Sequence, residues 1–382
     1  MLSWSAWLVG LILALVSVVR VRDLLAVPAL PVATPSGGAE QPRPRVSVIF
    51  TARDEQARIE TSVRRVLGQA GIDVEVIVVD DRSTDRTSAI VAGLAAEDAR
   101  VRVLRIDALP DGWLGKPHAC HVGAEGASGE WVLFCDADTW VKDRVIARAI
   151  DAAVAADADH VCLIPSEPDA SIPARATLIN FSTGLVNYAA RANRDDPRSM
   201  IGIGAFNLVR AEAYRAAGGH EALRLEVVDD LKLGLVLRRA GFRSRAFGSA
   251  GDVEVHWSPT ARQLVRALEK NMFAMLEFSA LRAVVALGGL SLFFGVALAA
   301  PFAGGVAGLV ALGGWLTTLV PSLMMARRAR WGVLAALLTP VMTPVMIYAV
   351  ANSAWVTLRQ QGIRWRGTFY PIELLRRGRV AP

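Results

Sequence analysis

The chain has 382 residues, 53% hydrophobic and 20% charged, with a formal net charge of +6. This length fits one catalytic domain plus extra segments, and the apolar excess gathers at the two ends, as in a membrane-attached protein. Lysine supplies only four of the basic residues, and the arginines crowd beside the apolar runs; that pattern suits anionic lipid headgroups and argues against nucleic acid as a partner.

Leu2 to Val19 form an apolar run able to cross a bilayer once. No positive charge precedes it, whereas Arg20 and Arg22 follow it. That is the reverse of a secretory signal, so residues 1–22 are expected to be an uncleaved anchor with its start outside and Arg20 inside. Residues 23–45, rich in Pro, Gly and Ala, read as a linker. A catalytic domain is expected over 46–257, an interface helix over 258–282, a membrane region over 283–357 and a basic cytoplasmic tail over 358–382.

Within the domain, Val46 to Phe50, Val74 to Val79, Val101 to Ile106 and Trp131 to Phe134 are short β-branched or aromatic runs. Helical patterns from Ala57 to Leu67 and from Ser83 to Ala96 separate them, so the fold class predicted is α/β, a doubly wound and mostly parallel sheet. Ligands bind such sheets beyond the carboxyl ends of the strands. Three strands end there in charged clusters: Thr51-Ala52-Arg53-Asp54-Glu55, Asp80-Asp81-Arg82-Ser83 and Asp136-Ala137-Asp138. Helix capping would account for one acid at such a position, not for adjacent pairs. Cys120, Cys135 and Cys162 form neither a CxxC pair nor a Cys/His cluster and read as reduced thiols.

VVDDRSTD followed about fifty residues later by FCDAD resembles the family 2 glycosyltransferases with the GT-A nucleotide-sugar fold, over roughly residues 46 to 281. The resemblance implies a nucleotide-sugar donor, a UDP-sugar. It places Thr51, Arg53, Glu55, Asp80 or Asp81, Lys116 and Asp136 at the donor, and Mg²⁺ or Mn²⁺ on Asp138 with Asp136. An oxygen-ligating divalent cation would neutralise the diphosphate leaving group as the glycosidic bond breaks. TARDE departs from the commoner Pro-Ala-Arg-Asn-Glu at Thr51 and Asp54. The segment GWLGKPHA (Gly112 to Ala119) resembles carotenoid- and hopanoid-associated members.

In LEVVDDLKLGLVLRRAGFR, Asp229 and Asp230 open an amphipathic helix. Two acids after Glu226 exceed what the helix dipole requires. The segment resembles the family's Glu-Asp motif, which implies that Asp230 is the general base of an inverting transfer, with Asp229 beside it. Gly202 to His220, containing Gly204, resembles the loop and helix of an acceptor site.

Pro259 to Arg282 reads as an amphipathic helix in the membrane surface. Its Gln263-Leu264-Val265-Arg266-Ala267 resembles the Gln-x-x-Arg-Trp signature of processive polysaccharide synthases, which puts Gln263 and Arg266 on the acceptor side. Ala267 stands where that signature has Trp, which disfavours processive synthesis. The segments at Glu269 to Ala274 and Trp365 to Tyr370 resemble lipid-glycosylating members.

Three further apolar stretches follow: Ala283 to Ala300, Gly304 to Met325 and Trp331 to Val356. Arg327, Arg328 and Arg330 are expected on the cytoplasmic side, as are the tail arginines. A single crossing by the third stretch cannot satisfy both, so Pro340 and Pro344 suggest a broken or re-entrant pair that returns the tail. The expected protein is a multi-pass enzyme of the bacterial inner membrane, its catalytic domain cytoplasmic. It would move a sugar to a hydroxyl or carboxyl of a membrane lipid. A polysaccharide synthase and a noncatalytic membrane scaffold are the competing readings.

Overall fold

The computed structural model describes residues 2–32 and 43–381; residues 33–42 of the expected linker lie outside the described residues. Helix α1 (Leu2–Leu25) is followed by β1 (Arg45–Ala52), α2 (Ile59–Leu67), β2 (Asp73–Asp81), α3 (Thr87–Glu97), β3 (Val101–Ile106), α4 (Gly115–Glu125) and β4 (Trp131–Asp136). Then come β5 (Thr139–Val141), α5 (Val145–Ala155), β6 (His160–Ile164), α6 (Ile172–Asn193), β7 (Asn207–Arg210), α7 (Ala211–Ala216), α8 (Asp229–Arg239), β8 (Ser244–Gly248) and β9 (Val253–Val255). The chain ends with α9 (Ala261–Met275), α10 (Ala280–Ala299), α11 (Gly305–Arg328), α12 (Val333–Gln360), β10 (Gly362–Trp365), β11 (Thr368–Pro371) and α13 (Ile372–Gly378).

Seven strands form one sheet in the order β3-β2-β1-β4-β7-β6-β8. β1 pairs in parallel with β2 and β4, and β2 with β3, while β7 runs antiparallel between β4 and β6. The doubly wound, mostly parallel expectation therefore holds. Alternation along β2 sends Val76 and Val78 into the core on one face and Ile77 and Val79 into the core on the other. That alternation decides which way the acids at the strand's end point.

Among the described residues, three helical segments are long and apolar enough to cross a membrane: Ala280–Ala303, Gly305–Arg328 and Val333–Gln360. Helix α1 is not one of these three, but it lies along α11 at close range: a Cβ on Gly314 would sit 2.5 Å from the Gly10 carbonyl oxygen. Trp4, Leu8, Leu11 and Leu15 of α1 are exposed. Arg328 at the end of α11 donates to the carbonyls of Leu24 (2.5 Å) and Val27 (2.7 Å), so both helices finish beside the sheet domain. Ala6, Val9, Ala297, Ala300, Ala307 and Ala311 pack together at their far ends.

The linker expectation is corrected at its start. Helix α1 runs through Leu25, and Leu30 is hydrogen-bonded to the Gly248 carbonyl (2.9 Å), so residues 23–30 are docked on the domain.

The broken third stretch is likewise corrected. Pro340 and Pro344 lie inside α12, an uninterrupted 28-residue helix. Early in α12, Asn180 of α6 donates to the Thr339 carbonyl (3.0 Å); near its end, Asn352 donates to Glu269 of α9 (2.9 Å) and Ser353 accepts from the Phe273 amide (2.9 Å). Both ends thus rest on the domain, and α12 lies across it.

Nor is the tail a free basic segment. Strands β10 and β11 make an antiparallel hairpin, with Ile363, Tyr370, Ile372 and Leu375 buried against Leu114, Leu225 and Phe273. Arg366 (φ 48°) and Gly367 (φ 79°) form its two-residue turn, the left-handed pair that twists with the strands.

Candidate active site

A cleft of about 600 Å³ opens where the carboxyl ends of β1, β2 and β4 meet α4, α8, α9 and the tail hairpin. Thr51, Arg53, Glu55, Asp81, Lys116, Asp136, Asp138, Gly204, Asp229 and Asp230 all line it. Residues up to 179 apart in sequence thus meet because strand ends and helix starts converge at one edge of a wound sheet.

The two adjacent acids of β2 separate. Asp81 follows Ile77 and Val79 toward α4, where Arg82 holds it with two hydrogen bonds (2.7 and 3.0 Å) and Arg53 approaches to 3.8 Å. Asp80 follows Val76 and Val78 to the opposite face, accepts from the Ser83 amide (3.2 Å) and from Ser88, and does not line the cleft. Its role is to hold the loop before α3. Asp54, in left-handed backbone (φ 56°), accepts from the Thr84 amide (2.7 Å), which holds its carboxyl below the usual range.

Gly204 sits between the acid clusters. Its carbonyl accepts from the Asp136 amide (2.9 Å), and its own amide donates to Asp230 Oδ2 (2.9 Å). A Cβ on Gly204 would lie 2.4 Å from Asp136 Oδ2 and 2.9 Å from Lys116 Nζ. Only hydrogen at this position lets the β4 turn and the start of α8 close on each other. Lys116 Nζ bonds Asp136 Oδ1 at 2.6 Å.

The electrostatics are those of a crowded acid site. Burial lowers the Lys116 ammonium, but Asp136, Asp229 and Asp230 more than reverse this and hold it well above its ordinary value. Asp138 is pushed up to about 7 by burial and by the neighbouring Asp136 and Glu55. Burial raises Asp230 as well, with Lys116 opposing and Asp229 and Asp136 adding. Asp229 is also buried, yet Lys116 and His220 bring it below the usual range. His220 Nε2 lies 3.6 Å from Asp229, and its Nδ1 is 2.9 Å from the Tyr214 hydroxyl.

The Asp138 carboxylate has no hydrogen-bond partner among the described residues. Together with the free Oδ2 edge of Asp136, it offers the hard oxygen donors that Mg²⁺ or Mn²⁺ prefers. The residues present therefore fit a divalent cation. Cys120, His220 and Asp229 also bring ligand atoms within 4.8 Å of one another, but Tyr214 already engages the His220 ring.

Two expected acceptor-side residues lie elsewhere. Gln263 closes a capping box at the start of α9, taking the Thr260 amide (3.1 Å) while Thr260 Oγ1 accepts from the Gln263 amide (3.3 Å), and Arg266 is exposed outside the cleft. Ala267, Lys270 and Asn271 of the same helix face the cleft instead. Lys270 Nζ sits 4.0 Å above the Trp365 ring, and burial followed by the neighbouring Lys116 pushes it down to about 8. Trp365, Arg366 and Tyr370 come from the tail hairpin: Arg366 pairs with Glu55, and the Tyr370 hydroxyl accepts from the Gly115 amide (3.2 Å). The sequence sign of this wall was the resemblance of Trp365 to Tyr370 to a segment of lipid-glycosylating members.

The wound sheet carries an acid turn after β4 that faces a second acid pair across Gly204. The fold is similar to that of the mannosyltransferase PcManGT from Pyrobaculum calidifontis, described in complex with GDP-Man and Mn2+: TM-score 0.60 at 19% identity, covering 93% of this chain and 99% of that one. Residues 47–218 match the family Glycosyl transferase family 2. Among curated proteins, the 4,4'-diaponeurosporenoate glycosyltransferase of Staphylococcus aureus (strain MRSA252) is 27% identical over 193 residues, 50% of each chain. The succinoglycan biosynthesis protein ExoO of Rhizobium meliloti (strain 1021) is 36% identical over 115 residues, 30% of this chain and 31% of that protein. The chain thus spans about half the length, or less, of these curated relatives.

Proposed function

We propose that this protein transfers a sugar from a nucleotide-sugar to a hydroxyl or carboxyl of a membrane lipid, inverting the anomeric centre in a single, nonprocessive step. The observation that carries the reading is the Gly204 bridge, which holds Asp136 and Asp230 to either side of one residue. Asp138 and Asp136 would hold Mg²⁺ or Mn²⁺, and the cation would neutralise the departing diphosphate. Lys116, Lys270 and Arg366 supply further positive charge around that leaving group. Asp81, with Arg53 and Arg82, supports the nucleoside end.

On the other side of the reacting carbon, Asp230 accepts the proton of the attacking hydroxyl. Its pKa, raised by burial, makes it a better proton acceptor than an ordinary aspartate. Asp229, fixed by His220, keeps the start of α8 in place. Ala267 lines the cleft and offers no ring on which a growing sugar chain could stack, which supports single transfer.

The relatives named for a carotenoid acid support a lipid acceptor, as do the three apolar helical segments. We place the start of α1 outside, with α1, α10 and α11 crossing the bilayer. Helix α12 lies along the cytoplasmic face, which leaves Arg22, Arg327, Arg330 and the tail on one side, as the positive-inside rule requires.

The test is to incubate membranes containing the full chain with radiolabelled UDP- and GDP-sugars and Mn²⁺, then extract lipids. Label in the organic phase that depends on the protein is expected. Label confined to the aqueous phase with every donor would overturn the lipid acceptor.

A further inference from the structure

The cleft has two chemically different ends. The charged end holds the acids and lysines; the other is built from Leu178, Phe181, Leu185 and Tyr188 of α6, with Trp331 and Met346 opposite. Spaced three, four and three residues apart, the four α6 side chains form one stripe. From Leu178 to Tyr188 the stripe extends ~15 Å at the helical rise. Met346 of α12 lines the same cleft.

Gly184 interrupts this wall. It lines the cleft in the middle of α6, and a Cβ built on it meets nothing within 4 Å. Glycine within a helix is less stabilising than alanine. No neighbouring atom requires the glycine, and packing would tolerate a side chain there. Gly184 is exposed, and the space beside it is open.

We propose that the α6 groove holds the extended apolar chain of the acceptor, and that Gly184 is the specificity-determining residue that keeps the groove wide enough for it. The proposal rests on the reading of a lipid acceptor and adds the route: lateral entry between α6 and α12, with the hydroxyl delivered to Asp230. The groove is continuous with the charged end of the same cleft, and α12 exposes Leu337, Val341, Tyr348 and Trp355 on its outer side, where an apolar chain would arrive from a bilayer.

The experiment uses the full chain in detergent and a photoactivatable long-chain primary alcohol, with crosslinks mapped by mass spectrometry. Labelling of α10, which exposes Leu281, Val284 and Val285, reports detergent partitioning and serves as the internal standard. Wild type is expected to be labelled within residues 178–188. Gly184→Phe should lose that label by about tenfold or more, equivalent to ~1.4 kcal/mol of binding, with α10 labelling unchanged. Gly184→Ala should melt no lower than wild type and keep the label, and Gly184→Leu supplies an intermediate case where the larger ring disturbs folding. Equal α6 labelling in wild type and both bulky variants, or none in wild type, would overturn the proposal. If the groove binds and the bulky variants block it while no donor yields labelled lipid, the groove assignment stands and sugar transfer falls.

Discussion

Gly204→Ala is the substitution whose effect follows most directly from the coordinates. The new methyl would sit 2.4 Å from Asp136 Oδ2, and ordinary contact begins at 3.4 Å, so the carboxylate must retreat by about 1 Å (3.4 − 2.4). Lys116 Nζ, at 2.9 Å, must also give way. Both obstacles are side-chain ends, so the loss of stability should fall at the low end of overpacking, about 1 kcal/mol. Misplacing a catalytic group by 1 Å can remove about 100-fold of rate. We therefore expect sugar transfer to fall ~100-fold, with melting lowered by only a few degrees. Steady-state transfer to lipid and a thermal melt of the same preparation measure both. A variant within about threefold of wild-type rate would refute the claim that the two acid clusters work across residue 204.

Asp230→Asn should reduce transfer to a hydroxyl acceptor by about 10²- to 10⁴-fold while nucleotide binding persists, as checked by single-turnover assay and calorimetry. The wild-type rate should fall on the acid side with a midpoint above the ordinary aspartate value of about 4, because burial raises Asp230 and only its ionised form accepts a proton. Lys270 is charged below and neutral above about 8, so the affinity for a nucleoside diphosphate should weaken as pH rises through that value, and Lys270→Arg should flatten the decline. Arg366→Ala should raise the donor KM by ~10-fold, the loss of one charged contact. Melting should be unchanged, because the Arg366–Glu55 pair is partly exposed and contributes little to stability.

Much of the site could be read from residue order because acids at the ends of apolar strands have no structural reason to come in pairs. Asp81, Asp136, Asp138, Asp229 and Asp230 all reach one cleft. Asp80 could not be separated from Asp81 without knowing which face of β2 each neighbour covers. Gln263 carried its own correction: Thr260-x-x-Gln263 is the capping-box pattern, and one side chain cannot both cap α9 and reach a ligand. Hydropathy alone does not show what a long apolar helix packs against, so the docking of α12 on α6 and α9 became legible only through its contacts. The tail's part in the cleft escaped because Arg366 and Glu55 lie 311 positions apart, and no local pattern encodes such a contact.

The most direct test of metal-assisted donor binding is calorimetric titration of the full chain with UDP and with GDP, with and without Mn²⁺, for wild type and Asp138→Asn. Binding that strengthens about tenfold or more with Mn²⁺ in wild type, and loses that gain in the variant, is the predicted result. Equal binding by both proteins in every condition would contradict it.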